Sequence, residues 1–457
     1  MEKENVVIIG AIAAGGSAAF KIRRLCPSAN ITVIEADHHF SYAACGLPYY
    51  ISGEISDHRK MVMREKKDFL EANINLLTGH RAVELNPAKN EVKLAPVGGR
   101  LSDTVTYDKL LISTGAEPII PPLEGCSLDG VYTLRTLQHG LDIKNALRTK
   151  NIEKAVIIGG SYIGLELAEA FKTLGLEVRL IEKMPDLMNT FDPGMALHME
   201  KELAANDVMV HTGETLTAFE GDKRGVLKSV VTDRASYKAD LAVIALGVKP
   251  NTELAGSAGI RLGAGGAIAV NRYLQTNIDN IYAAGDCAEA YHRLLKRNVY
   301  IPLGTTANKQ GRLAGENMSG QNNLFPGVLG SAVIKVFNLS AGRTGLTENE
   351  AKAYNLPCRS AMVETLDQAA YYPGAVPLYI KLIFNPVDGK LLGGQTVGSL
   401  KSVKRVDSIA TAISAGLTVS DFASVDMAYS PPFSRVWEGL TVAANAAESR
   451  RAKGCTD

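Results

Sequence analysis

Six thiols are scattered along the chain, at Cys26, Cys45, Cys126, Cys287, Cys358 and Cys455. No two have CxxC spacing, which excludes the zinc-ribbon and thioredoxin-type readings. A few dispersed cysteines suit a reducing compartment. Most are expected to be small, inert hydrophobes. Cys45 differs because it precedes a plausible helix start, where a helix dipole enriches the nucleophilic thiolate. Cys455 sits in a polar tail and reads as a spectator, with a reactive thiol as the alternative. His38 and His39 precede the Cys45 loop and read as surface or locally hydrogen-bonded residues. No carboxylate–histidine cluster suggests a metal.

The second kind of chemistry is phosphate binding. Gly10, Gly15 and Gly16 follow the apolar run Val6 to Ile9 and open an Ala-rich helix that continues through Arg24. A second run, Ile31 to Ile34, ends at Glu35. The pattern recurs about 150 residues later. There Ala155 to Ile158 leads into Gly159-Gly160-Ser161-Tyr162-Ile163-Gly164 and a helix from Leu165 to Leu174. The following strand, Val178 to Ile181, ends at Glu182. Each unit reads strand–turn–helix–strand. The helix start offers N–H donors and a positive dipole end to a pyrophosphate, and the glycines let the backbone come close. The acid at the second strand's end is expected to accept hydrogen bonds from ribose hydroxyls. The middle glycine is replaced in both turns, by Ile12 and by Ser161. Glu182 would repel a 2′-phosphate and accept a 2′-hydroxyl, so NADH is favoured, with NADPH as the alternative because Lys183 adjoins it. Ser17, Lys21 and Arg24 fall on one face of the first helix. That face reads as a cationic surface for phosphates or as a solvated basic face.

These residues must be carried by a large α/β protein. The 457 residues call for about three domains, and 46% hydrophobic content supplies large buried sheets. The formal net charge of +1 gives no field that would favour nucleic acid or an acidic membrane. No apolar run approaches the roughly 18–20 residues of a membrane span, and the N-terminus has no signal-peptide layout. A cytoplasmic protein is therefore expected. Further strands, each ending in a Gly turn, are expected at Leu110 to Ala116, Asp240 to Gly247 and Ile281 to Asp286. Beyond about residue 327 the pattern changes. Alternation over Ala332 to Phe337 and Leu378 to Phe384 predicts antiparallel strands, and Ser402 to Ala415 predicts a helix on them.

Taken together, these motifs resemble the FAD- and NAD(P)-dependent pyridine nucleotide–disulfide oxidoreductases over essentially the whole chain. The marks are the two Gly turns with their acids, Ser113-Thr114-Gly115-Ala116, Ala245-Leu246-Gly247-Val248-Lys249-Pro250-Asn251, and Thr276 through Asp286. The resemblance implies two Rossmann-like domains, the second inserted in the first, and a C-terminal α/β dimerisation domain. The implied segments are residues 1–117 and 247–326 for FAD, 118–246 for NAD(P)H and 327–457 for dimerisation. It implies that Gly10, Gly15, Glu35 and Asp286 hold FAD and that Thr114, Gly115 and Gly247 are cofactor-binding. Gly159, Gly164 and Glu182 would hold NAD(P)H, with Tyr162 gating the nicotinamide pocket and Glu166 beside it.

The subgroup follows from Ser41-Tyr42-Ala43-Ala44-Cys45-Gly46-Leu47-Pro48-Tyr49-Tyr50. Two-cysteine members carry CxxxxC, but position 50 here is Tyr50. The segment is similar to that of CoA disulfide reductases, CoA-persulfide reductases, NAD(P)H sulfur oxidoreductases, NADH oxidases and NADH peroxidases. Ala370-Tyr371-Tyr372-Pro373-Gly374 and Ala428-Tyr429-Ser430-Pro431-Pro432-Phe433 match two segments of CoA disulfide reductases. There the tyrosines matching Tyr371 and Tyr429 serve the other subunit's active site, which implies a homodimer. Val436-Trp437-Glu438 departs from the Pro-Lys-Asp type and is more similar to a sulfur-reducing thermophile branch. No further domain is expected after it. The resemblance places CoA against Ser17, Lys21, Arg24 and Ser41, as substrate or as mixed-disulfide partner of Cys45. Peroxidases and water-forming oxidases usually have a histidine in the first turn, where this chain has Ala13; that favours a thiol–disulfide cycle over a sulfenate cycle. The reading is an NAD(P)H-dependent flavoprotein reductase of CoA disulfide, CoA persulfide or polysulfide. Oxygen-reducing NADH oxidase, elemental-sulfur reductase and a non-catalytic NADH-sensing flavoprotein remain the alternatives.

Overall fold

The computed structural model describes residues 3–100 and 103–453, so Cys455 lies outside the described residues. The chain gathers into two compact units. One holds the chain up to Ile119 with Arg135–Asp142 and Gly247–Val328; the other holds Ile120–Leu134, Ile143–Leu246 and the chain from Leu329. The fold is α/β.

The first unit is built on a five-stranded parallel sheet in the spatial order Ile281–Ala283, Lys109–Ile112, Asn5–Ile9, Asn30–Glu35, Ile74–Thr78. The run Val6 to Ile9 is continuous and apolar because its strand is central and buried. Successive strands leave it in opposite directions: Ile9 is in register with Ile34 on one side and Ile112 on the other. That reversal of strand order is where α/β sheets place their ligands. The helix Ala14–Leu25 leaves this point and packs on the helix Gly304–Met318. Gly311 permits the approach, since a Cβ there would lie 2.1 Å from the Ala14 carbonyl oxygen.

The second unit repeats the device. Its parallel sheet runs Val208–Thr212, Glu177–Glu182, Lys154–Ile158, Leu241–Ile244, Val131–Thr133. Ile158 is in register with Ile181 and Ile244 on its two sides. The same unit carries an antiparallel five-stranded sheet in the order Ala332–Val336, Leu339–Gly345, Leu391–Gly398, Pro377–Phe384, Arg359–Leu366. The helix Arg405–Ala415 packs on it, as the sequence predicts.

Three expected strands are shorter than predicted. They end at Ile112, Ile244 and Ala283 rather than at Ala116, Gly247 and Asp286. The reason is backbone hand. Gly115, Gly247 and Gly285 have φ of 69°, 96° and 86°, which takes the chain out of the extended region just beyond each strand. Ala116–Pro118 and Val248–Pro250 then form a separate antiparallel pair. Among the described residues no helix is long and apolar enough to cross a membrane.

Candidate active site

In the first unit, Gly10 has φ 101° and a Cβ there would lie 2.2 Å from the Ser113 carbonyl oxygen. At Gly15 a Cβ would lie 1.8 Å from the carbonyl oxygen of Gly10. Neither position accepts a side chain. No side chain caps the helix Ala14–Leu25 and no acid stands in its first turn. Its N-terminus therefore suits an anion. Glu35 is buried and braces the turn, accepting the N–H groups of Ala11 at 2.8 Å and Asp37 at 2.9 Å. Burial pushes its carboxyl above the usual range.

The second unit has the same parts. Gly159 has φ 113°, and a Cβ there would meet the Ala245 carbonyl oxygen at 2.4 Å; at Gly164 it would meet that of Gly159 at 1.9 Å. The helix Tyr162–Thr173 begins without a side-chain cap or an acid in its first turn. Glu182 accepts the N–H groups of Gly160 and Met184, both at 2.7 Å. The sequence reading assigned both acids to ribose alone. In the structure each also closes its own Gly turn, and the carboxylate retains acceptor capacity for a hydroxyl. Glu166 lies one turn beyond Tyr162 on its helix, and the Tyr162 hydroxyl is 3.5 Å from Thr190 Oγ1.

Thr114 and Gly115 are clamped by Asn251. Thr114 Oγ1 donates to the Asn251 carbonyl at 2.7 Å, and Asn251 Nδ2 returns a bond to the Thr114 carbonyl at 2.9 Å. The Asn251 N–H donates to the Gly115 carbonyl at 3.0 Å. Gly247 accepts from the Ile119 N–H at 3.0 Å. Asp286 pairs with Arg135 Nη2 at 2.6 Å. Gln310 is fully buried and holds both sides of the Asp286 turn, accepting the Gly285 N–H at 2.9 Å and donating to the Glu289 carbonyl at 2.8 Å. The sequence reading gave Arg135 and Gln310 no role. Neither stands in a recognisable motif; a lone arginine and a lone glutamine become visible only when the fold sets them beside Asp286.

Cys45 is exposed, in a 3₁₀ turn over Ala44–Gly46. The helix behind it, Leu47–Ser52, is only six residues long, so little dipole stands behind the thiol. The loop is instead fixed by its flanks. Buried Ser41 adopts φ 49°, donates its N–H to the Ala11 carbonyl at 3.2 Å and accepts from Met63 at 2.7 Å. Tyr42 is buried, accepts the Leu137 N–H at 3.2 Å, and has its hydroxyl pushed up to about 12 by burial. A Cβ at Gly46 would lie 2.6 Å from Met61 Sδ. The Ser41–Ala11 bond ties the thiol loop directly to the first Gly turn. Tyr50 is buried where a second cysteine would stand. Burial pushes the Cys287 and Cys358 thiols up.

The expected cationic helix face is largely committed elsewhere. Ser17 Oγ donates to Asn308 Oδ1 at 2.8 Å, and Lys21 pairs with Glu316 at 2.8 Å. Both partners belong to the helix Gly304–Met318. Arg24 alone of the three is exposed.

In the antiparallel domain Tyr371 and Tyr429 are exposed, and their hydroxyls lie 3.1 Å apart. The Ala369 N–H donates to the Pro431 carbonyl at 3.1 Å and draws the two segments together. The bond from Tyr371 holds the Tyr429 hydroxyl above its usual range. Phe433, Val436 and Trp437 are also exposed on this segment, and Glu438 pairs with Arg405.

Two uncapped helix starts, each behind a strand whose glycines bar any side chain, define a protein built for two dinucleotides; Asp286 and Cys45 add a polar anchor and a thiol to the first. Residues 4–311 match the family model described as pyridine nucleotide-disulphide oxidoreductase, and residues 331–440 match that family's dimerisation domain. The chain belongs to this family, and it is an FAD- and NAD(P)H-dependent oxidoreductase. It is 38% identical to the NAD(P)H coenzyme A polysulfide/persulfide reductase of Pyrococcus horikoshii, over 97% of this chain and 98% of that one. It is 36% identical to an NADH oxidase of Methanocaldococcus jannaschii, over 96% and 98%. The solved NAD-dependent persulfide reductase of A. fulgidus superposes with a TM-score of 0.94 at 38% identity, covering 98% of this chain and 84% of that one.

Proposed function

We propose that this protein reduces CoA disulfide, CoA persulfide or polysulfide at the expense of NADH, through FAD and Cys45, as a homodimer in a reducing, cytoplasmic setting. The observation that carries this reading is an exposed Cys45 whose loop is bonded to the first Gly turn, with a buried tyrosine at position 50. A sulfur centre so placed can exchange with an external thiol but has no second cysteine five positions on, at residue 50. The names of the similar reductases support CoA and sulfur as the acceptor chemistry.

Gly10, Gly15, Glu35 and Asp286 would hold FAD, in the domain formed by residues 1–117 and 247–326, with Thr114, Gly115 and Gly247 as further cofactor-binding positions. When bound, FAD relays two electrons between a reduced pyridine nucleotide and a sulfur centre. Gly159, Gly164, Tyr162, Glu166 and Glu182 would hold NADH, in residues 118–246. The Cys45 thiolate attacks one sulfur of the disulfide, forming a Cys45–CoA mixed disulfide and releasing the other half as a thiolate. Two electrons and one proton then return Cys45 to the thiolate and free CoA as the thiol. Tyr371 and Tyr429, within residues 327–457, orient the departing sulfur and give it the proton. Ser41 and Arg24 are the members of the expected CoA set best placed to serve it. The pairs made by Ser17 and Lys21 mean that these two must exchange partners to do so.

Steady-state NADH oxidation by the holoenzyme with CoA disulfide, polysulfide or oxygen tests the reading. Turnover with a CoA-linked or polysulfide acceptor that disappears in Cys45→Ser is expected. Oxygen consumption that matches NADH oxidation, without sulfur reduction, would instead establish the oxidase reading.

A further inference from the structure

The Tyr162 ring sits at the N-terminus of the second nucleotide helix, and its hydroxyl lies 3.5 Å from Thr190 Oγ1. Thr190 belongs to a loop, residues 188–192, that is anchored at both ends. At one end Met188 takes the left-handed conformation, φ 47°, and donates its N–H to the Gly160 carbonyl at 2.8 Å. At the other end Asp192 is buried against the antiparallel sheet. Its N–H donates to Gln395 Oε1 at 3.0 Å, and its carboxylate accepts from Gln395 Nε2 at 2.7 Å and from Lys381 Nζ at 3.0 Å.

Between these anchors a buried guanidinium reaches the loop. Arg343 Nη1 donates to the Thr190 carbonyl. Its fork is set by Glu350, at 3.1 and 2.7 Å, and by the Gly345 carbonyl at 2.7 Å. The Arg343 side chain is only 8% exposed, and its Nε is buried without a hydrogen-bond partner among the described residues. A buried arginine that leaves one donor unmet is held for the geometry of the others. The planar fork meets three acceptors on three segments, a task a lysine ammonium on its flexible stem does not reproduce.

We infer that Arg343 is a positioning residue for pyridine-nucleotide binding: it fixes Thr190, and Thr190 fixes the orientation of Tyr162. The inference rests on the reading of Tyr162 as a wall of the nicotinamide pocket. The charges of Arg343 and Glu350 both act on the Tyr162 hydroxyl, so the pair faces that side chain. Removing Arg343 leaves both loop anchors in place and frees the part between them. The predicted effect is therefore on nucleotide affinity, while FAD retention is spared.

Calorimetric titration of the oxidised holoenzyme with NAD⁺ separates the possibilities, because no turnover intervenes. The variants are Thr190→Val, Tyr162→Ala and the pair Arg343→Met/Glu350→Gln, which leaves no stranded buried charge. Thr190→Val and the pair should each weaken NAD⁺ binding about fivefold, the scale of one hydrogen bond, with FAD content unchanged. Combining them should add little, since both act on one contact. If Tyr162→Ala weakens NAD⁺ binding but neither Thr190→Val nor the pair does, the Arg343 relay is wrong and the Tyr162 reading stands. If Tyr162→Ala has no effect, both fall. Should the paired variant fail to fold, Arg343→Lys, which keeps the charge but loses the planar fork, takes its place with the same expected and contrary outcomes.

Discussion

The hydroxyls of Tyr371 and Tyr429, 58 positions apart in sequence, lie 3.1 Å apart on the exposed edge of the antiparallel domain. Two phenols in direct contact share a proton, and together they can donate one and retain one. In the proposed reaction the pair would act as one unit.

The unit predicts non-additive kinetics. Tyr371→Phe and Tyr429→Phe should each lower kcat/KM for CoA disulfide by about 100-fold or more, the lower end of the range of a positioned proton donor. The double variant should lose little more than either single one. Mixed dimers of Cys45→Ser subunits with Tyr371→Phe/Tyr429→Phe subunits should regain one working site per dimer. Losses that simply multiply would mean that the two hydroxyls act independently.

Glu182 predicts the nucleotide preference. kcat/KM should be higher for NADH than for NADPH. Because the same carboxylate accepts the Gly160 and Met184 N–H groups, Glu182→Ala should narrow the preference and also weaken both nucleotides. A wild-type preference for NADPH would contradict the assignment, and a variant that gains NADPH affinity at no cost to NADH would contradict the bracing role.

Much of this was legible in the sequence because it depends on local rules. A fully apolar four-residue run, a glycine that must take positive φ and a terminal acid all lie within one local unit, so both Gly turns could be placed. The strands end at Ile112, Ile244 and Ala283, earlier than expected, because the residues between each strand and its glycine (Ser113-Thr114, Ala245-Leu246, Ala284) carry no signal of their own that pairing has stopped. The partners that tune the site were not legible. Lys21 finds Glu316, Asp286 finds Arg135 and Thr190 finds Arg343 only through long-range packing. A basic helix face therefore read as open when the fold had already paired most of it.

Burial of Glu35 gives a pH signature. Its folded-state pKa is raised, so its ionised form is disfavoured in the folded protein. The sign follows from linkage: the stability it contributes is present below the unfolded carboxyl value and is lost as pH rises through the folded one. Urea unfolding of the wild type and Glu35→Gln should show the wild type gaining relative to the variant between about pH 7 and about pH 4. A constant difference across that interval would mean that the backbone donors from Ala11 and Asp37 cancel the cost of burial.

The central claim is that Cys45 works through a mixed disulfide with CoA, and the mass of the intact chain tests it most directly. The protein is purified without reductant, denatured and weighed, then weighed again after dithiothreitol and as Cys45→Ser. The account predicts a CoA-sized adduct that dithiothreitol removes and that the variant lacks. An oxygen-sized adduct on Cys45, or an unmodified thiol that turns over polysulfide but not CoA disulfide, would contradict it.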